Sequence, residues 1–350
     1  MSATSTDDQI TLGIQRIEPL DLHDPMVRAA VEQTRRSLSN PRLAAILTVR
    51  TAIQQYLCNR LAEDGYVHPP VYMLAGCTDP LNHWTYPARM NYYGAEVSIT
   101  QSLILHKILT VMFSPCPSVF WASPNVRMEM RINRREYKYA TEFMQVDFER
   151  AGATYDEMLV YVSDLMRGLY RYLNERCAAA LEAVRGTLLP SLDDSLPIYD
   201  AVEETPKLGG LSSDDLERHL SAQTDGRPFM LVNMKREAYD HLDEATGRFL
   251  NFDIVIPPHG KNPNPVECLS GAERTRSVDA LKQRMVDLGY PMDYFDPFFQ
   301  LFTSLAKGKP RIACAGAGFG VERLTYAVLG LVDIHDVYPF PRLAEGRIAF

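Results

Sequence analysis

Two stretches of this chain set charges against apolar residues at the alternation of a β-strand. In Asn125-Val-Arg-Met-Glu-Met-Arg-Ile132, Val126, Met128, Met130 and Ile132 fall on one face and Arg127, Glu129 and Arg131 on the other. In Glu142-Phe-Met-Gln-Val-Asp-Phe-Glu149, Phe143, Gln145, Asp147 and Glu149 share a face, while Met144, Val146 and Phe148 point away. Taken alone, the first pattern is that of a half-buried strand with a solvated charged face. The second places a flat aromatic beside acceptors and a carboxylate, a surface suited to stacking a base and holding an ammonium group. The basic loop Asn133-Arg-Arg-Glu-Tyr-Lys-Tyr139 joins them. A strand, a basic loop and an antiparallel return strand make a clamp for a polyphosphate.

Near the C-terminus, Ala315-Gly-Ala-Gly-Phe-Gly-Val-Glu-Arg-Leu324 leads from a short apolar strand into a helix. A dinucleotide fingerprint does not fit, because Val321 stands at the third glycine position and too little chain follows for the rest of such a domain. The alternative is that the glycines let a nucleotide approach the backbone while Arg323, in the first helical turn, meets a phosphate.

Extended segments and helices must position these groups. Asn40-Pro41 supplies an N-cap and a first-turn proline, and Leu43, Ile46, Leu47, Ile53, Leu57 and Leu61 recur at helical spacing until Gly65. Extended segments are expected at 92–100, 125–132, 142–149, 229–233, 252–256 and 312–318, with helices around 155–185, 274–288 and 321–331. Several neighbouring strands share loops too short for a parallel crossover, so the expected fold is α+β, an antiparallel β-sheet flanked by helices.

Composition sets outer bounds. Hydrophobic residues make up 46% and charged residues 23% of the 350, as in an ordinary globular protein. The polar, acidic stretch Met1–Asp24 does not look like a secretory or mitochondrial address, and no apolar run is long enough to span a bilayer. The six scattered cysteines have no metal-ligand or redox spacing and read as reduced thiols of a cytoplasmic protein. The net charge of −8 lacks the basic footprint of a protein that grips a long nucleic acid, which argues against a tRNA partner.

Together these segments resemble the catalytic domain of class II aminoacyl-tRNA synthetases, in particular the aspartyl and asparaginyl branch. Arg127-Met-Glu129, the loop and Thr141–Glu149 are similar to motif 2; Gly316–Leu324 is similar to motif 3; the helix ending in Gly65-Tyr-Val-His-Pro-Pro70 is similar to motif 1, which implies a homodimer through that helix. The resemblance runs from about residue 41 to Arg342.

The resemblance implies ATP and Mg²⁺ as cofactors and gives each matching residue a role. Arg127 would bind the α-phosphate and Arg323 the pyrophosphate side, with Gly318 and Gly320 beside the nucleotide. Glu129 would hold the adenine, Phe143 would stack under it, and Lys138 stands where the family has an arginine for the γ-phosphate. Asp253 and Glu267 match the magnesium carboxylates. For the amino acid, the resemblance implies Lys107 and Arg274 on a side-chain carboxylate, Gln145 and Asp147 on the ammonium, and Ser102 and Ser270 nearby. Two cations on a carboxylate would reject an amide. Read without the family, Lys107 and Lys138 could be solvated surface charges, and Arg274 could pair with Glu273 or Glu267 in an ion network. Ile104 departs from the glutamine that aspartyl enzymes place three residues before the lysine.

Residues 40–350 are thus expected to form the catalytic domain. Residues 1–39 form an N-terminal arm, too short for the anticodon-reading barrel of the full synthetases. The closest layout is that of the archaeal-type asparagine synthetase, which implies an aspartate-like acid activated as its adenylate and an acyl transfer to ammonia or a small amine. The alternatives are transfer to tRNA or to a protein lysine, and a regulatory paralogue without activity.

Overall fold

The computed structural model describes residues 21, 23–81, 85–129, 138–209, 213–235, 237–308 and 312–341. In chain order its elements begin with helices α1 (Pro25–Leu38) and α2 (Leu43–Glu63) and the short strands β1 (Leu74–Ala75), β2 (Thr85–Tyr86), β3 (Arg89–Tyr92) and β4 (Ala95–Ile99). Next come α3 (Ile104–Phe113), β5 (Ser118–Val126), β6 (Met128–Glu129), β7 (Glu142–Ala151), α4 (Tyr155–Arg176), α5 (Ala178–Arg185), β8 (Ile198–Asp200), α6 (Ala201–Lys207) and α7 (Ser213–Ser221). The chain continues through β9 (Phe229–Val232), β10 (Leu242–Asp243), β11 (Arg248–Phe249), β12 (Asn251–Ile256), β13 (Val266–Glu273), α8 (Val278–Asp287), α9 (Met292–Ala306), β14 (Cys314–Gly320) and α10 (Val321–Leu329).

Seven strands form the central sheet in the order β5-β7-β14-β13-β12-β9-β8. Every neighbouring pair is antiparallel except β8 and β9. The expected antiparallel sheet flanked by helices is therefore the observed one. Along β7 the side chains alternate between two cores. Val146 and Phe148 pack with α2, α4 and α10, whereas α3, α8 and α9 pack with Trp121 on the opposite face. Gln145 and Asp147 share that opposite face, beneath α3.

Helix α2 starts at Leu43, two residues later than Asn40-Pro41 suggested; Asn40 Oδ1 accepts from Arg42 N at 3.0 Å. Its Ile46, Val49, Ile53, Leu57 and Leu61 are fully buried, each contributing about 1.5–3 kcal/mol. Helix α4 opens with a capping box, Thr154 and Glu157 satisfying each other's backbone N–H.

Several expectations need correction. Residues 25–38 of the presumed arm form α1, capped by Asp24 and burying Val27 and Ala30. The single strand expected over 125–132 does not exist: β5 ends at Val126, and Met128–Glu129 turns away to pair with Thr85–Tyr86. Alternation continues across this break because side chains go on facing opposite ways after the backbone has left the sheet. Residues 130–132, with Arg131, lie outside the described residues, as does most of the basic loop before Lys138. The strand expected from Tyr92 is a hairpin whose turn, Tyr93-Gly94, has positive φ at both residues (50° and 79°). The helix expected over 155–185 divides at Cys177. All six cysteines are free thiols.

Candidate active site

A cavity of about 190 Å³ opens where β7, β13 and β14 run beneath α3. Lys107, Ser102, Arg127, Glu129, Lys138, Phe143, Gln145, Asp147, Glu267, Ser270, Arg274, Gly318, Gly320 and Arg323 all line it. Of the residues to which the resemblance gives a role, only Asp253 lies outside the lining, buried on β12 beside Ser270 of β13. Contiguous segments therefore converge from four parts of the chain on one concave surface.

The deeper part is a charge network. Lys107 Nζ lies 3.4 Å from Asp147 Oδ2, both side chains buried. Burial pushes the Asp147 carboxyl up, against the pull of Lys107 and Arg127. Gln145 is oriented by Asn125, whose Nδ2 donates to Gln145 Oε1 at 2.8 Å. Arg274 forms a bidentate pair with Glu149 at 3.0 and 3.1 Å, donates to the Gly316 carbonyl, and lies 3.6 Å from Asp240. Its partners are thus Glu149 and Asp240, not Glu273 or Glu267. Lys107 is no surface lysine, being 2% exposed. Since carboxylates already compensate Lys107 and Arg274, rejection of an amide does not follow from these cations alone. Ile104 is buried in the same wall.

Arg127 and Arg323 are more accessible than Lys107 and Arg274. Arg127 Nε donates to the Gln101 carbonyl at 3.2 Å, and its guanidinium sits 5.2 Å above the Phe143 ring. Arg323, in the first turn of α10, pairs with Glu267 at 3.3 Å and lies over Tyr139. Lys138 faces Asp214 of α7 at 3.7 Å and is buried as well. Such donors around a cleft can bind a polyphosphate and offset negative charge developing on it.

The glycines also serve packing within the sheet. A Cβ on Gly318 would stand 1.9 Å from Asp147 Oδ1 and 2.7 Å from Gln145 Nε2, and one on Gly316 would stand 2.1 Å from the Phe148 carbonyl. These two make room for β7 and its site side chains. A Cβ on Gly320 would meet only Arg323 Cβ, at 3.5 Å.

The carboxylates fit magnesium. Glu267 lines the cavity, Asp253 lies one strand away, and both help burial push the Glu217 carboxyl of α7 up to about 8. Among the described residues no three His, Cys, Asp or Glu side chains close into a metal cage. Magnesium asks for less, taking one or two carboxylates and completing its shell with water and substrate phosphates.

Sequence reasoning missed Asp79, Tyr139, Glu237, Tyr239 and Asp240, which also line the cavity. Asp79 accepts from Ser102 Oγ at 2.8 Å and lies 3.6 Å from Arg127. The only local signals were isolated carboxylates, in Thr78-Asp-Pro80 and Glu237-Ala-Tyr-Asp240, within segments lacking periodicity.

Comparison with known proteins adds to this geometry. A family model described as tRNA synthetases class II (D, K and N) matches residues 28–344. The asparagine–tRNA ligase of Nitratidesulfovibrio vulgaris strain Hildenborough is 25% identical over 324 residues, spanning 81% of this chain and 67% of that protein. That of Geobacter sulfurreducens is 24% identical over 340 residues, spanning 85% and 70%. Among solved structures, asparaginyl-tRNA synthetase from Pyrococcus horikoshii complexed with asparaginyl-adenylate superposes with a TM-score of 0.72 at 20% identity, covering 87% of this chain and 69% of that one. Aspartyl tRNA synthetase from Entamoeba histolytica gives 0.68 at 17%, covering 96% and 65%. These likenesses establish the fold.

Proposed function

Because the chain belongs to the class II tRNA synthetase family (D, K and N), ATP-dependent and AMP-forming ligases that use magnesium, we propose that it activates an amino acid of the aspartate or asparagine type as its adenylate. For the acyl acceptor two readings stand, and the relatives' names favour tRNA. The observation that carries the reading is the division of one cavity into two cationic groups. Lys107 and Arg274 are buried among carboxylates, while Arg127 and Arg323 are more accessible.

In this reading the amino acid lies over β7, its ammonium against Asp147 and Gln145 and its side chain toward Lys107 and Arg274. Its carboxylate attacks the α-phosphorus of ATP in line. Arg127 stabilises the charge gathering on the α-phosphate, and pyrophosphate departs along Arg323 and Lys138. Phe143 and Glu129 hold the adenine. Glu267 and Asp253 would hold magnesium, which supplies charge neutralisation on the phosphates. No protein nucleophile takes part.

A second reading keeps the adenylate but gives it to ammonia or a small amine. The net charge of −8 favours it, since a long polyanion gains little from an acidic surface. The two readings share the first step, which Arg323→Ala tests. Its exchange of pyrophosphate into ATP is expected to fall about 10²–10³-fold while thermal stability stays near that of the parent. Unfolding, or exchange at the parental rate, would remove Arg323 from the mechanism.

A further inference from the structure

A second cavity, of about 640 Å³, lies against the first, and Asp79 and Leu81 line both. Asp79 is 7% exposed. Its Oδ2 accepts from Ser102 Oγ, but its Oδ1 is buried without a hydrogen-bond partner among the described residues. A buried carboxylate oxygen left in that state is costly unless a ligand supplies a donor. Asp79, on the wall common to both cavities, therefore holds an unsatisfied acceptor between the two.

The remaining walls are fixed and mixed in character. Tyr290 Oη donates to the carbonyls of Pro80 and Leu81, both at 3.0 Å, and Tyr294 Oη pairs with Ser98 Oγ at 2.8 Å and accepts from Thr78 N. Arg89 lies 4.8 Å over the Tyr294 ring with Glu96 as its partner, and Lys235 is an exposed cation on the same lining. The volume is that of a pocket for a whole small molecule, far beyond the needs of ammonia.

We propose that this second cavity binds the acyl acceptor, and that the acceptor is a small amine carrying an anionic group, its nitrogen at Asp79 and its anion at Lys235. The inference rests on the adenylate of the proposed function and on its second reading, in which a small amine and not tRNA takes the acyl group. The neutral amine attacks the acyl carbon, a C–N bond forms, and the anhydride C–O bond breaks. AMP leaves with the bonding pair, and the surplus proton on nitrogen passes to Asp79 Oδ1. The product is an amide joining two small molecules.

The test uses the whole chain with ATP, magnesium and whichever amino acid supports pyrophosphate exchange. Ammonium, the common amino acids, glycinamide or unfractionated tRNA is added singly, and the acylated product is identified by mass spectrometry. The expected result is amide formation with an amino acid, with glycine preferred to glycinamide by about fivefold in kcat/KM and that preference lost in Lys235→Ala. Ala88→Trp, which fills the second cavity, should abolish transfer while exchange stays within about twofold of the parent. Product with tRNA or ammonium alone, or a glycine preference untouched by Lys235→Ala, would overturn the inference while leaving the adenylate in place. Absence of exchange with any amino acid would overturn the adenylate reading and this inference with it.

Discussion

At the scale of single residues, the site depends on opposite charges buried together. Lys107 and Asp147 are both nearly inaccessible, so removing one leaves the other uncompensated, at a cost of about 3–5 kcal/mol. Lys107→Met should therefore lower thermal stability as well as raise KM for the amino acid more than for ATP. Adding Asp147→Asn should recover much of the stability and none of the amino-acid binding. Recovery of both in the double variant, measured by thermal melts and exchange kinetics, would make the pair purely structural. Lys107, Arg127 and Arg323 were legible in sequence because each sits within a contiguous motif. Asp79 and Asp240 were not, because their meaning comes from partners remote in the chain, Ser102 and Arg274.

At the scale of elements, β14 passes so close to β7 that its glycines decide whether Asp147 can take its place. Gly318→Ala drives a methyl into Asp147 Oδ1 and should cost about 1–3 kcal/mol in denaturant unfolding, with a matching loss of exchange. Gly320→Ala meets only ordinary contact and should fold as the parent does. Equal stability of the two variants would show that β14 shifts freely and that the close approach is incidental. Strand β7 was readable because its alternation coincides with a real two-faced strand. The segment after Val126 alternates in the same way, yet its pairing moves to another sheet, an event set by tertiary partners. Helix α7 gave no clear sequence signal, being nine residues long, though it brings Asp214 to Lys138 and Glu217 near Glu267 and Asp253.

At the scale of the whole molecule, a mainly antiparallel sheet between two helical layers places the candidate site on the face covered by α3. The fold class was legible from loop lengths and motif order, whereas the acceptor was not, because charge argued against tRNA while the relatives argue for it. The homodimer expected through α2 remains a proposal with its own test. Leu47 and Thr51 lie with Tyr172 along an open groove at the edge of the main core, and Leu47→Glu should convert a dimer to a monomer by sedimentation. A parent that sediments as a monomer would remove that proposal.

The central claim is that the cavity makes the adenylate of an amino acid of the aspartate or asparagine type, whatever takes the acyl group afterwards. Magnesium-dependent exchange of pyrophosphate into ATP, measured without acceptor across aspartate, asparagine, glutamate and lysine, tests it most directly. The account predicts exchange with aspartate, asparagine or both, and background levels with lysine. Exchange driven best by lysine, or none with either aspartate or asparagine, would contradict it.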